Sequence, residues 1–332
     1  MSTVHRVKKY RFHYVAFLLS LSTHILHAAP IGWGDAILVE PRAEEYSVCC
    51  HEGEGQLYAV VSRLKSRFVA DQPTLVDIVL NYTQNGRFVS RVVSTVMLAP
   101  SGELFPLHPS VSALGNEILI AWQETSTATC AANNAEDSCA WGSAAGIYYV
   151  YSSSGPEGFG GKQALPATVG KLNAILPMAK MTAQGRHLIF YQEPTSGTRF
   201  MLSAATGGRG VFSGITPVAQ ISAGVRGALF PSALRRGNRI DIVYQNRAAA
   251  TLIDDIFRGF SIDNGVTWSS NLRITENGQQ NFSGKLTNTK DKLVFVWQSN
   301  PKKVWSIFAA PEGQEAIQVS DGEAPSYLPT IV

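Results

Sequence analysis

Charge and reactive side chains are scarce in this sequence. Charged residues make up 16% of the 332 residues, with four cysteines and seven histidines. Four of those histidines precede residue 30, which leaves His51, His108 and His187 in the body of the chain. The cysteine spacings match no zinc pattern, and His51-Glu52-Gly53-Glu54 is a glycine-broken turn rather than a helical metal signature. No nucleophile elbow supports a serine triad, and no glycine-rich phosphate loop follows a strand and opens a helix. No metal and no cofactor is therefore expected. A long amphipathic helical pattern is also missing.

The formal net charge of +3 comes from the N-terminus. Residues 1–29 hold Arg6, Lys8, Lys9 and Arg11 and no acid, so the remainder carries 24 bases against 25 acids. A nucleic-acid-binding surface needs a basic stripe on the folded domain, and nucleic acid is excluded as a partner. The basic residues precede an apolar stretch, Val15–Leu21, and Ala28-Ala29 offers a cleavage point before Pro30. This pattern is that of a secretory signal peptide; an uncleaved anchor needs about 20 apolar residues. The expected organisation is a signal peptide over 1–29 and one domain over 30–332, secreted or periplasmic, with no transmembrane span after signal removal. In an oxidising compartment Cys130 and Cys139, nine apart in a polar segment, are candidates for a disulfide. The adjacent Cys49 and Cys50 read as two independent thiols or a vicinal pair.

What is abundant is glycine (29), proline (16) and short apolar runs. One phrase recurs: a proline, a turn, an apolar strand, then an aromatic and glutamine. It reads Pro109 to Ile118-Leu119-Ile120-Ala121-Trp122-Gln123-Glu124, Pro177 to Leu188-Ile189-Phe190-Tyr191-Gln192-Glu193, and Pro231 to Ile240-Asp241-Ile242-Val243-Tyr244-Gln245. The fourth copy is Leu293-Val294-Phe295-Val296-Trp297-Gln298, with Ser283 in place of the proline, and a degenerate copy runs through Leu57–Arg63. A period near 50 residues with several strands per unit is propeller spacing; the rival is a β-sandwich. Strand groups are expected at about 36–98, 105–168, 175–222, 229–276 and 281–320. Residues 326–332 restart the phrase with Pro329.

Phe260-Ser261-Ile262-Asp263-Asn264-Gly265-Val266-Thr267-Trp268-Ser269 carries the most specific signal. Ser261 and Asp263 can bond turn N–H groups, Gly265 can take a positive φ, and Trp268 can pack beneath the turn. Here the sequence resembles the Asp-box, or bacterial neuraminidase repeat, of sialidase-superfamily β-propellers. Weaker copies lie at 82–88, 152–155 and 203–208. The resemblance implies a β-propeller, six-bladed in the sialidase type; with the five strand groups and the restarted phrase at 326–332, the expected fold is an all-β propeller of five to six four-stranded blades, the last one incomplete. The resemblance also implies structural Asp-box turns between third and fourth strands and ligand sites on the opposite, top face.

The top-face candidates for ligand binding are Trp122, Gln123, Gln192, Arg226, Tyr244, Gln245, Arg247, Trp297 and Gln298. Aromatics beside amides suit sugars, although residues that repeat in every blade also suit packing between blades. Were the protein an enzyme, Glu124, Glu193 and Tyr191 would be the catalytic candidates, because sialidases pair a tyrosine nucleophile with a glutamate. Pro41-Arg42-Ala43 departs from the Arg-Ile-Pro or Arg-Leu-Pro motif that supplies the family's first substrate-clamping arginine. The expected function is an exported, non-catalytic propeller that binds a glycan or an envelope protein. The alternatives are a divergent sialidase-like exo-glycosidase and a structural component of an envelope assembly. Asn81-Tyr82-Thr83 and Asn281-Phe282-Ser283 are formal glycosylation sequons.

Overall fold

A computed structural model describes residues 43–50, 57–65, 74–85, 87–98, 107–125, 144–168, 174–194, 200–219, 229–247, 253–269, 271–289, 292–301, 303–320, 325–326 and 329. All of them belong to the compact unit Val39–Val332. The expected signal peptide at 1–29, Cys130, Cys139 and Arg226 lie outside the described residues, as does most of the restarted phrase at 326–332.

Among the described residues five antiparallel sheets follow one another along the chain, each a four-stranded meander with its strands in sequence order. Blade 1 comprises β1 (Ala43–Cys50), β2 (Leu57–Leu64), β3 (Thr74–Gln84) and β4 (Arg87–Leu98). Blade 2 comprises β5 (Ser110–Leu114), β6 (Glu117–Thr125), β7 (Ala144–Ser152) and β8 (Gln163–Ala164). Blade 3 comprises β9 (Ile175–Met181), β10 (Arg186–Pro194), β11 (Phe200–Gly208) and β12 (Val211–Ala219). Blade 4 comprises β13 (Leu229–Arg236), β14 (Arg239–Arg247), β15 (Asp254–Ser261) and β16 (Leu272–Arg273). Blade 5 comprises β17 (Asn281–Thr289), β18 (Lys292–Ser299), β19 (Ser306–Pro311) and β20 (Ile317–Gln318). These bounds fall inside the five strand groups expected from the repeat. The first strands pack in succession, β1 on β5, β5 on β9, β9 on β13 and β13 on β17. Ser326 and Pro329, described from the restarted phrase, are not in a strand.

The core lies in the seams between sheets, which explains the continuous apolar second strands. In β6, Ile118, Ile120 and Trp122 join Val60, Ile78 and Leu80 of blade 1. The alternate residues Leu119 and Ala121 join Ala179, Ile189 and Tyr191 of blade 3. A strand buried on both faces has no polar side to alternate with. The same arrangement joins blades 3 and 4 around Phe190, Ile242 and Tyr244, and blades 4 and 5 around Val243, Phe295 and Trp297. Burying each such large side chain contributes about 1.5–3 kcal/mol.

The recurring proline also has a local cause. Near the start of the first-strand pairing, two residues oppose one, a bulge of one extra residue: 176–177 opposite Tyr191 of β10, 230–231 opposite Tyr244 of β14 and 283–284 opposite Trp297 of β18. The first bulged residue has a positive φ in each case, Leu176 at 55°, Phe230 at 52° and Ser283 at 52°, and His108 at 45° holds the corresponding place before β5. A bulge leaves a backbone position without a ladder partner, so a proline there costs no hydrogen bond.

Candidate functional site

We define the top of the fold as the end where each first strand begins and each second strand finishes. The bottom holds the turns between third and fourth strands. The turn after β15 belongs to the bottom and is closed by its own side chains. Ser261 Oγ donates to Asp263 Oδ1 at 2.7 Å and accepts from the Gly265 N–H at 2.7 Å. Asp263 accepts from Val266 N–H, Thr267 N–H and the Thr267 hydroxyl at 3.1, 2.9 and 2.6 Å. Slight burial would raise the Asp263 carboxyl, but these hydrogen bonds outweigh it and hold the pKa at about 2. Trp268 sets its ring edge-on to Phe190 of blade 3, with centroids 5.5 Å apart. Ser152 builds a simpler turn after β7, accepting from Ser154 N–H at 3.2 Å. In blade 3 the expected copy at 203–208 lies within β11, and the turn itself falls at Arg209–Gly210.

The aromatic-glutamine ends of the second strands do reach the top, but they point into the seams. Trp122, Tyr191 and Tyr244 have no exposed surface, and Trp297 is buried beside Phe295. Tyr244 stacks on Phe257 and Trp297 on Phe308, each with centroids 6.1 Å apart. Gln123, Gln192, Gln245 and Gln298 are buried as well. Gln123 Oε1 accepts from the N–H of Leu176, the bulged residue of the next blade, at 2.8 Å. As packed, these aromatics join blades and present no surface to a ligand.

The carboxylates are similarly engaged. Glu124 Oε1 accepts from Trp122 Nε1 at 3.0 Å and pairs with Lys162 at 2.9 Å. Glu193 is buried and accepts from the Ser203 hydroxyl at 2.6 Å. Side chains two apart on a strand share a face. Glu124 therefore follows Trp122 toward blade 1, whereas Glu193 follows Tyr191 toward blade 2, so the two lie in different seams. Burial and then the Glu193 charge push the Tyr191 phenol well above its ordinary pKa. Its hydroxyl has no hydrogen-bond partner among the described residues. An activated nucleophile needs the opposite surroundings.

The densest polar grouping at the top spans blades 4 and 5. Arg247 forks onto Asp254 at 3.2 and 3.1 Å. The Asp254 N–H donates to Gln280 Oε1 at 3.0 Å. The buried Asp255 takes Arg273 at 3.0 and 2.5 Å, the Thr275 hydroxyl at 2.8 Å and Asn281 Nδ2 at 3.1 Å. Asn281 also donates to Asn277 Oδ1 at 2.9 Å, and the Ser299 hydroxyl donates to Gln279 Oε1 at 3.2 Å. The turn Asn277-Gly278-Gln279-Gln280 is thereby fixed, with Asn277 exposed at its tip and Gln279 and Gln280 half-buried. Beside it, the half-buried rings of Phe282 and Trp305 meet with centroids 5.2 Å apart. Of the sequence-derived candidates, Arg247 belongs to this group, and Gln245 and Gln298 lie beneath it. Phe282, Trp305 and the amide turn were not anticipated, although the run Asn277–Asn281 ahead of a first strand was a readable polar signal. No group of three or more potential metal ligands occurs among the described residues.

No protein-family profile matches the chain, and no curated protein matches it. Solved structures do. An uncharacterised protein from Dyadobacter fermentans aligns with a TM-score of 0.55 at 14% identity, over 84% of this chain and 83% of that one. An α-L-arabinanase from Penicillium chrysogenum, complexed with arabinobiose, aligns with a TM-score of 0.55 at 13% identity, over 87% and 84%. A family 25 polysaccharide lyase, an ulvan lyase bound to -[GlcA(1-4)Rha3S]-, aligns with a TM-score of 0.53 at 11% identity, over 85% and 71%. At such identities the likeness is one of fold, and the fold is a β-propeller.

Proposed function

We propose that this chain is an exported, non-catalytic β-propeller that binds a glycan on its top face, at the mouth of blades 4 and 5. The observation that carries the reading is the Phe282–Trp305 ring pair beside the amide turn 277–280. Half-buried rings offer an apolar platform for the C–H face of a sugar, and fixed amides beside it can bond hydroxyls in both directions. Glycoside cleavage needs two carboxyl groups facing one another across the scissile bond, or an activated tyrosine. Glu124, Glu193 and Tyr191 satisfy neither condition, being divided between seams and tied to Lys162, Ser203 and the core. An arabinanase holding arabinobiose and a lyase holding an acidic disaccharide repeat on the same fold agree with a saccharide ligand.

Calorimetric titration of the mature chain with arabinan, galactan and uronate oligosaccharides tests the reading. Binding of at least one class should weaken tenfold or more in Trp305→Ala and stay unchanged in Glu124→Gln and Glu193→Gln. The saccharide should also be recovered intact by chromatography. Release of shorter products that stops in either glutamate variant would establish the glycosidase alternative instead.

A further inference from the structure

Asn-Gly occurs three times in the chain, at 85–86, 264–265 and 277–278. In such a pair the glycine nitrogen can attack the asparagine Cγ, because the glycine has no side chain to obstruct the approach. Gly86 lies outside the described residues, and the other two pairs sit in opposite surroundings. At 264–265, in the bottom turn after β15, every reacting group is held back. Asn264 is buried, and its Nδ2, the leaving group, donates to Gln184 Oε1. Its Oδ1 has no hydrogen-bond partner among the described residues, so no donor there would stabilise a developing negative charge. The Gly265 N–H is tied to Ser261 Oγ at 2.7 Å, and a Cβ on this glycine would meet Leu188 at 2.8 Å.

At 277–278, in the amide turn of the top mouth, each of these conditions is reversed. Asn277 and Gly278 are exposed. The Gly278 N–H has no hydrogen-bond partner among the described residues, and a Cβ on this glycine would meet nothing within 4 Å. Asn277 Nδ2 has only a long contact, 3.4 Å to Asn281 Oδ1. Asn277 Oδ1, by contrast, accepts twice, from Gln279 N–H at 3.1 Å and from Asn281 Nδ2 at 2.9 Å. Asn281 is itself held in place, its Nδ2 also reaching Asp255 Oδ1 at 3.1 Å and the Gln279 carbonyl at 2.7 Å. Two donors fixed on a carbonyl oxygen draw charge from its carbon and stabilise the oxyanion that forms when a nucleophile adds.

We propose that Asn277 is a self-modification site, converting to aspartate and isoaspartate and so weakening saccharide binding at the top mouth; the effect on binding rests on the glycan reading above. The Gly278 nitrogen adds to Asn277 Cγ and gives up its proton to water. Nδ2 takes a proton and departs as ammonia, which closes a succinimide. Water then opens the ring, at Cγ to give aspartate or at the backbone carbonyl to give isoaspartate, so one water is consumed for each ammonia released. Either product replaces an amide with a carboxylate that cannot donate. Isoaspartate also lengthens the turn that holds Gln279 against Ser299.

The test holds the mature chain folded at neutral pH and, in parallel, unfolded in urea, and follows its peptides by mass spectrometry. In the folded chain, residue 277 should gain the mass of an amide-to-acid change about ten or more times faster than residue 264, whose attacking N–H must first break a buried hydrogen bond. In urea the two rates should converge. Equal rates in the folded chain, or a difference that persists in urea, overturn the site. Binding is read with arabinan, galactan and uronate oligosaccharides. Aged parent should bind about three or more times weaker than fresh parent, as one fixed hydrogen-bond donor has been lost. Asn277→Gln keeps an amide but cannot close a five-membered ring, so its affinity should not change with age. Loss in both proteins, or in neither, overturns the effect on binding. Failure of fresh parent to bind any of the three saccharides overturns the glycan reading and leaves the conversion at residue 277 standing.

Discussion

Asp241, at the bottom of blade 4, is fully buried and accepts from three arginines: Arg236 at 3.0 and 2.8 Å, Arg239 at 3.0 Å and Arg258 at 2.7 Å. Arg258 continues to Glu312 of blade 5 at 2.5 Å. Burial alone would raise the Asp241 pKa, but the three guanidinium groups outweigh it and lower the value. Asp241→Asn leaves partly buried cations facing a neutral amide. It should cost about 3–5 kcal/mol, read as a lower urea midpoint. His187 makes a second residue-scale case. Its buried Nδ1 accepts from Gly210 N–H at 3.0 Å, and Nε2 faces Glu117 at 3.5 Å. Burial lowers its pKa, and Glu117 only partly opposes this. The unfolded chain, with histidine near 6.5, then binds the proton more tightly than the folded one. Stability from this site is complete above about pH 6.5 and is lost as pH falls from there toward the lowered folded value. Thermal melts between pH 7.5 and 5.5 should show that decline, and His187→Asn, which keeps an acceptor and cannot titrate, should flatten it.

Among the elements, the 261–268 turn tests whether backbone and packing demands add. Gly265 has a φ of +84°, and a Cβ there would come within 2.8 Å of Leu188. Gly115, in the β5–β6 turn, has a φ of +59° and open space around it. Gly115→Ala pays only for the left-handed backbone, about 1 kcal/mol, whereas Gly265→Ala adds displacement of a core leucine, a further 1–3 kcal/mol. The difference is measurable by denaturant unfolding of the two variants side by side. The turn was legible in the sequence because Ser261, Asp263 and Gly265 act within five residues, so local spacing carries their geometry. The second strands were legible because burial on both faces leaves an unbroken apolar run. The pairing of Gln123 with Leu176 was not, since those groups meet across a seam and 53 positions apart.

For the whole molecule, stacking five meanders through their seams decides what remains accessible. Both formal glycosylation sites fall to this stacking. Asn81 is fully buried in β3 and accepts from Ser90 at 2.5 Å, and Asn281 is buried under the 277–280 turn. A glycan cannot be attached to either side chain in the folded state. Expression through a eukaryotic secretory pathway should yield folded protein whose intact mass shows no glycan at these positions. A glycan on either would contradict the packing described for β3 or β17.

The repeat phrase, the turn chemistry and the all-β class were determined by the sequence alone, because each rests on periodicity or on neighbours a few residues apart. The use of each top-face residue was decided by tertiary structure. A Trp-Gln-Glu run spells the same letters whether it lines a pocket or fills a seam, and only the neighbouring blade distinguishes them. Trp122, Tyr191 and Tyr244 went into the seams, while Phe282 and Trp305, 23 positions apart, met at the surface.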